Sequence, residues 1–291
     1  MLTLEKLLDI PELATLPTVT TKILQEIEDN NVDIRKVAHT IETDASLTAK
    51  VLKVANSAIY GLRTPVSNIA QAIITIGLNR LANIVIGISI FSRFMLRSQE
   101  YAKQLLEKFW WHSAATGVVS KSLAVKIARN YKELEFIGGL LHDFGKLILM
   151  QYRLSDYVKV IELTTNEGIL DVEAEKKIFG FDHLETGSFI AKKWKLPNSI
   201  VNIMGYHSKL NFLKEDLELA AVIRFSDLLC EMWGADFFEG HKIINFEDQP
   251  SWKILLERVP SLKELDLEKF TFELEEDFKK SSEFLKIISS V

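Results

Sequence analysis

The residues that could do chemistry are concentrated in Gly138-Gly139-Leu140-Leu141-His142-Asp143-Phe144-Gly145-Lys146-Leu147-Ile148-Leu149, an apolar helical segment carrying an imidazole, a carboxylate and an ammonium group. A segment this apolar should be buried. Imidazole and carboxylate are costly to bury without partners, so His142 and Asp143 must be hydrogen-bonded to other groups or bound to a metal. Adjacent residues on a helix point about 100° apart, so both can reach one ion only if other helices close around it. Gly138, Gly139 and Gly145 remove side chains on either side, which lets a neighbouring backbone or a phosphate come close. Further candidates lie at long intervals, with His112 upstream and His183, His207 and Asp227 downstream.

The elements that must position these groups read as helices. Apolar residues recur at three and four along nearly every segment, and strict alternation is missing, so the expected fold class is all-α. The six prolines (Pro11, Pro17, Pro65, Pro197, Pro250 and Pro260) fall where the periodicity breaks, as helix boundaries should. The spacing predicts short helices over Leu2–Asp9 and Val19–Glu28, a turn at Asn30, Asn31 and Val32, and helices capped by Asp33 and Asp44. Ser67 is the expected cap of Asn68–Ile76, with Gly77 in left-handed conformation after it and an apolar helix from Leu78 to about Leu96. Tyr101–Arg129 should be one long helix around His112, and Glu133 to about Gln151 another, holding the central stretch. Leu154–Glu167 and Asp171–Phe179 follow, the latter acidic in its first turn as the helix dipole favours. Asp182 and Glu185 form a capping box that puts His183 at a helix start, Pro197 opens a helix ending near His207, and Leu217–Trp233 carries Asp227.

Several motifs resemble the HDOD domains, output domains of bacterial signalling proteins related to the HD phosphohydrolases. The likeness is carried by Leu16-Pro17, by Asp44 through Leu52, by Ala55-Asn56-Ser57 with Tyr60, and by Ile69 to Gly77 followed by Leu78 and Arg80. It continues through Trp111-His112-Ser113, Leu140 to Lys146, Asp182 through Gly187, Trp194 to Pro197 and Tyr206-His207. Asp44-Ala45 replaces the family's usual Asp-Pro. The resemblance runs roughly over residues 12–230 and implies a helical N-terminal lobe (1–98) packed on an HD-like bundle (99–235); beyond Gly234 the periodicity loosens, and 236–291 reads as a helical C-terminal extension.

By that resemblance His112, His142, Asp143 and Asp227 stand at the metal-binding positions of HD phosphohydrolases, and His183 and His207 fit the extra ligands of binuclear members. Imidazole with carboxylate suits iron, manganese or zinc, and an open site would acidify a bound water. Lys146 would meet a substrate phosphate if the protein is an enzyme. HDOD proteins are mostly degenerate HD domains, so the same residues also fit a buried polar network in a fold that has lost catalysis. The leading expectation is a cytoplasmic regulatory protein acting through contacts with signalling proteins, with a metal site in its HD-like lobe. The alternative is a metal-dependent phosphohydrolase acting on a phosphate-containing small molecule. Cleavage of cyclic dinucleotides is disfavoured, because Ser208-Lys209-Leu210 stand where the phosphodiesterase branch carries a Gly-Tyr-Pro stretch.

Composition narrows the rest. With 47% hydrophobic and 26% charged residues over 291 positions, the chain can bury a large core, and its net charge of −5 argues against a nucleic-acid partner. Cys230 is the single cysteine, so no internal disulfide can form and a reducing compartment is expected. Ile84–Phe91 is too short to span a bilayer, and Met1–Ile10 carries too many charges for a signal peptide. His39, among core-facing positions, and His241, in a polar loop, read as structural. Trp110 with Trp111, and Phe237 with Phe238, read as packing groups, Cys230 as buried packing, and Glu273, Glu275, Glu276 and Asp277 as a solvated face.

Overall fold

Polar side chains at helix starts set the pattern of the first lobe. In the computed structural model, which describes residues 3–9, 16–28, 32–57, 60–95, 100–241, 244–264 and 266–289, a 3-10 turn at Leu4–Asp9 precedes α1 (Thr18–Glu28), α2 (Ile34–Glu42), α3 (Ala45–Ala55), α4 (Ile69–Ile76) and α5 (Leu78–Met95). Asp33 and Asp44 cap α2 and α3 as expected, accepting from the backbone N–H groups of Arg35 and Leu47. Asn68, rather than Ser67, caps α4 by accepting from Gln71 N, because it is the residue immediately before the first helical turn. Gly77 has a positive φ of 93° but an extended ψ of 148°, so it joins α4 to α5 without the left-handed helical turn. His39 is exposed between buried Ala38 and Thr40, unlike its expected placing. The expectations at Leu2, Pro11, Asn30, Asn31, Leu96 and the 98/99 boundary lie outside the described residues.

The second lobe is built on α6 (Glu100–Lys126), followed by α7 (Leu134–Leu141), α8 (Phe144–Tyr152), α9 (Leu154–Glu162), α10 (Asp171–Phe179), α11 (His183–Lys193), α12 (Asn198–Tyr206) and α13 (Leu217–Met232). The single helix expected from Glu133 to Gln151 is broken at His142–Asp143: Asp143 adopts φ −95° and ψ 11°, and Lys146 N–H donates to Asp143 O to start α8. This break frees the two adjacent side chains from helical spacing. α9 ends in a wider turn over Leu163–Glu167 that Gly168 closes at φ 66°, and the Asp182–Glu185 capping box opens α11. Three further helices, α14 (Pro250–Arg258), α15 (Leu267–Lys279) and α16 (Ser281–Ser289), complete the chain, and no strand occurs among the described residues.

Glycines set the closest approaches between these helices. A Cβ on Gly139 would lie 2.7 Å from Gly117 Cα, so α6 and α7 meet backbone to backbone. A Cβ on Gly145 would lie 2.0 Å from His183 O, so the turn after Asp143 rests on the start of α11. Around these contacts α5 packs on α6 and α8, with Phe91 4.3 Å from Trp110 and Phe94 5.1 Å from Phe144 between ring centroids. Each such aromatic contributes about 1.5–3 kcal/mol through burial. Polar contacts also tie the early helices to the later ones: Glu133, in left-handed conformation at the start of α7, accepts from Tyr60 Oη (2.7 Å) and from Lys121 Nζ (2.5 Å).

The C-terminal helices pack back onto this frame. Trp252 stacks on Phe225 at 4.9 Å, and Phe284 meets Phe136 edge-on at 5.0 Å. Trp110, Phe237 and Cys230 are fully buried, in keeping with their expected packing roles. Among the described residues no helix is long and apolar enough to cross a membrane.

Candidate metal centre

Five elements deliver the six candidate ligands to one place. α6 supplies His112, the break between α7 and α8 supplies His142 and Asp143, His183 is the first residue of α11, His207 follows the last turn of α12, and Asp227 lies on α13. All six are at most 1% exposed. Asp143 sits between two histidine pairs. Its Oδ2 is 3.4 Å from His112 Nε2 and 3.6 Å from His142 Nε2, while its Oδ1 is 3.4 Å from both His183 Nε2 and His207 Nε2. Asp227 Oδ1 joins the first pair, at 3.3 Å from His112 Nε2 and 3.5 Å from His142 Nε2.

Each imidazole is held by its other nitrogen. Nδ1 lies 2.7 Å from Ala235 O in His112, 2.7 Å from Gly139 O in His142, 2.7 Å from Glu175 Oε2 in His183 and 3.2 Å from Ile203 O in His207. These partners can only accept when the carboxylate is ionised, so Nδ1 carries the proton and donates it, leaving every Nε2 lone pair turned inward in the neutral ring. His112 Nε2 and His142 Nε2 then face each other at 3.2 Å, an arrangement that needs a cation or a proton between them. Asp143 Oδ1, Asp227 Oδ1 and His183 Nε2 are buried without a hydrogen-bond partner. Donors on a metal with bonds of about 2.0–2.2 Å stand about 3.0–3.5 Å apart, close to the separations here, so the residues fit a metal ion on either side of Asp143.

Charge supports the same count. The side chains of Asp143, Asp171, Glu175, Asp227, Glu231 and Glu239 are buried around two permanent cations among the described residues, Lys146 and Arg224. Lys146 Nζ lies 2.7 Å from Asp143 Oδ2, 2.7 Å from Asp171 Oδ2 and 3.6 Å from Glu239 Oε1. Arg224 donates to Asp227 Oδ2 and to Glu239 Oε2, the latter at 2.8 Å. Six carboxylates against two cations leave four negative charges, the charge that two divalent ions would offset. Without them, protons must be taken up. Burial pulls His112 down, but Asp143 and Asp227 outweigh it and raise the imidazole to about 9. Burial likewise pulls His183 down, but Glu175 and Asp171 outweigh it and raise the imidazole to about 9. His207, desolvated and beside His142, falls to about 4. Burial, and then Glu239 and Asp227, push Glu231 well above the usual carboxylate range.

Lys146, expected to face a phosphate, is instead fully buried among carboxylates. Asp171, Glu175, Arg224, Glu231 and Glu239 were absent from the sequence expectation. Arg224, three residues before Asp227 on an apolar helix, was the one with a local signal. His241, read as structural, accepts from Arg224 Nη2 at 2.8 Å and lines a cavity of about 380 Å³. The same cavity is lined by His183, His207, Lys209 and Arg224, so the second histidine pair has a route outward.

Comparison with known proteins agrees with this architecture. An uncharacterized protein of Treponema pallidum (strain Nichols) is 26% identical over 227 residues, which cover 76% of this chain but only 42% of that protein's length. An HDOD domain protein of unknown function from Geobacter sulfurreducens superposes with a TM-score of 0.75 at 26% identity, covering 92% of each chain. A protein from Shewanella amazonensis SB2B, provisionally named a phosphohydrolase, gives a TM-score of 0.72 at 21% identity, covering 98% of this chain and 97% of its own, and shares the fold. The model of the HDOD domain matches residues 13–210, about two thirds of the sequence, and on that match the chain belongs to the HDOD domain family.

Proposed function

We propose that this HDOD protein holds two divalent ions and hydrolyses a phosphate ester, the activity that the sequence kept as its alternative. The observation that carries the reading is Asp143, whose two oxygens face two separate pairs of inward-pointing Nε2 atoms. His112, His142, Asp143 and Asp227 would hold one ion, and Asp143, His183 and His207 the other. Iron, manganese and zinc all suit this donor set; bound there, such ions would lower the pKa of a coordinated water and offset charge on phosphate oxygens.

The chain's own groups prepare that site. Arg224 fixes Asp227 through Oδ2 and leaves Oδ1 free, Glu175 fixes the His183 ring, and Lys146 holds Asp143 through Oδ2. Lys209, Arg224 and His241 line the cavity at the second pair together with the carboxylates Asp171 and Glu239. Loading the purified protein with manganese or iron and measuring phosphate release from p-nitrophenyl phosphate tests the reading. Turnover lost in a folded Asp143→Ala variant supports it, and a doubly loaded wild type that releases no phosphate from a broad ester panel rejects it.

A regulatory role through protein contacts is the second reading. It is favoured by the N-terminal lobe, which has no group of metal-ligating side chains among its described residues yet is tied through Tyr60 to Glu133 and Lys121, on the helices that carry the centre. Signalling proteins would be its partners. In cells, a folded Asp143→Ala variant that keeps the phenotype while surface variants of the first lobe lose it would favour this reading over hydrolysis.

A further inference from the structure

The stretch from Ala235 to His241 lies beyond residue 210, where the match to the family model ends, yet it reaches the centre at two points. Ala235 O accepts from His112 Nδ1 at 2.7 Å, and the buried Glu239 side chain meets both Arg224 and Lys146. These two cations hold the carboxylates assigned to the first ion: Arg224 donates to Asp227 Oδ2, and Lys146 Nζ lies 2.7 Å from Asp143 Oδ2. Glu239 offers one oxygen to each, Oε2 accepting from Arg224 Nη1 at 2.8 Å and Oε1 facing Lys146 Nζ at 3.6 Å. A Glu239 oxygen also stands within 4.8 Å of donor atoms of His112, His142 and Asp143. The second pair has a carboxylate of its own, Glu175, 2.7 Å from His183 Nδ1. The stretch is firmly anchored. Phe237 is fully buried with its ring 5.3 Å from that of Phe109, Asp171 N–H donates to Glu239 O at 3.2 Å, and Lys108 Nζ lies 3.8 Å from the Phe238 ring centroid.

We infer that Glu239 is a positioning residue that sets the affinity of the first ion, so that this ion depends on the Ala235–His241 stretch and the second does not. The inference rests on the two-ion part of the proposed function and not on hydrolysis. Its cause is charge. A divalent ion on Asp143 and Asp227 has two fixed positive charges one carboxylate away, and in a buried site that repulsion is little screened by salt. Glu239 takes up part of each cation's charge that would otherwise compete with the ion for its ligand oxygens. Without it the six buried carboxylates become five, and against Lys146 and Arg224 they leave three negative charges, one fewer than two divalent ions offset. Glu239 and His241 line two cavities, of about 500 and 380 Å³, so one layer of chain carries this carboxylate, and displacing that layer would remove the charge with it.

Calorimetric titration of the full chain with manganese separates the two ions through ligands that only one of them uses. In a His207→Ala background the first ion remains, and adding Glu239→Gln, which keeps the shape and loses the charge, should weaken it about 10–100-fold. In a His112→Ala background the second ion remains, and the same addition should change its Kd by less than about twofold, as for a site without shared partners. Glu239→Asp restores the charge and should recover most of the first ion's affinity. Electron paramagnetic resonance gives a second readout: two manganese ions sharing Asp143 produce a coupled signal, which Glu239→Gln at limiting manganese should replace with that of an isolated ion. Support for the fold alone would affect both ions together and would not separate Gln from Asp. Equal weakening of the two ions, an unchanged first ion, or a loss in Glu239→Asp as large as in Glu239→Gln overturns the inference while two bound ions in wild type keep the reading it rests on. Should Glu239→Gln not fold, Lys146→Met with Glu239→Gln removes one charge of each sign; the first ion should then bind as in the His207→Ala parent, and a loss of about tenfold, or about 1.4 kcal/mol, overturns the charge role. A wild type that takes up no ion rejects the two-ion reading and this inference with it.

Discussion

Ion number is the quantity on which the reasoning about the centre depends most directly. Asp143 shared between two histidine pairs implies two ions per chain in the wild type, one in His207→Ala and fewer than one in Asp143→Ala. An ion present at one hundred times its Kd adds about 2.7 kcal/mol to stability, so two add about 5 kcal/mol. At roughly 2–4 °C per kcal/mol for a chain near this size, chelation should lower the Tm by about 10–20 °C. His207→Ala should keep about half of that difference. Substituting a buried imidazole costs stability by itself, so the loaded and chelated forms of each variant are compared with one another, not with wild type. Elemental analysis of protein purified without chelator, and calorimetric melting with and without EDTA, give both numbers. A supplemented wild type that carries no metal and melts at one temperature in either buffer refutes the centre. A wild type holding a single ion that His207→Ala leaves untouched refutes the sharing of Asp143.

Other expectations follow from the groups around the ligands. Glu175→Gln keeps the shape but removes the charge that holds His183 Nδ1–H, so affinity for the second ion should fall about 10–100-fold in a metal titration; a change under twofold would contradict that role. Gly145→Ala forces a Cβ to within 2.0 Å of His183 O, and urea unfolding should show a loss of at least about 3 kcal/mol together with reduced metal content. Normal stability in that variant would show that the α8–α11 contact can open freely. In the chelated protein, His112 and His183 titrate near 9, above their ordinary value, so their stabilisation is complete below about pH 6.5 and is lost as pH rises through 9. His207, at about 4, acts in the other direction, its contribution being lost as pH falls from about 6.5 towards 4. Urea midpoints of the chelated protein should therefore peak near pH 6.5, whereas a midpoint that climbs steadily to pH 9 would contradict the assignment.

The parts of this structure legible in the sequence are those with local causes. The Asp33 and Asp44 caps and the Asp182–Glu185 box each satisfy backbone donors within three residues, so residue type and spacing were enough to find them. The six candidate ligands were legible because polar residues on apolar helices need a reason to be there, and the resemblance named one. The break at His142–Asp143 was not, since both halves keep helical periodicity and nothing but the two ends of the turn marks the interruption. That break also answers the geometric objection that neighbouring helical residues diverge: Asp143 leaves the helix and so can turn both of its oxygens to the centre.

The charged shell was hidden for a different reason. Asp171 opens a helix where an acid favours the dipole, and Glu175 lies one turn on, so an exposed position explains each of them locally. In the fold that face turns inward, to Lys146 and to His183. Glu239 lies beyond Gly234 where the periodicity loosens, and only the tertiary packing brings it in: a Cβ on Gly240 would stand 2.3 Å from Ile169 O, which holds the 236–241 strand of chain against the start of α10. Asp171 N–H donates to Glu239 O at the same contact. Whether a carboxylate there is tolerable depends on the sum of the charges assembled around it, and that sum exists only once four separated segments have met. A set of candidate ligands can therefore be recognised residue by residue, but the balance of charge that would let them hold a cation belongs to the assembled site.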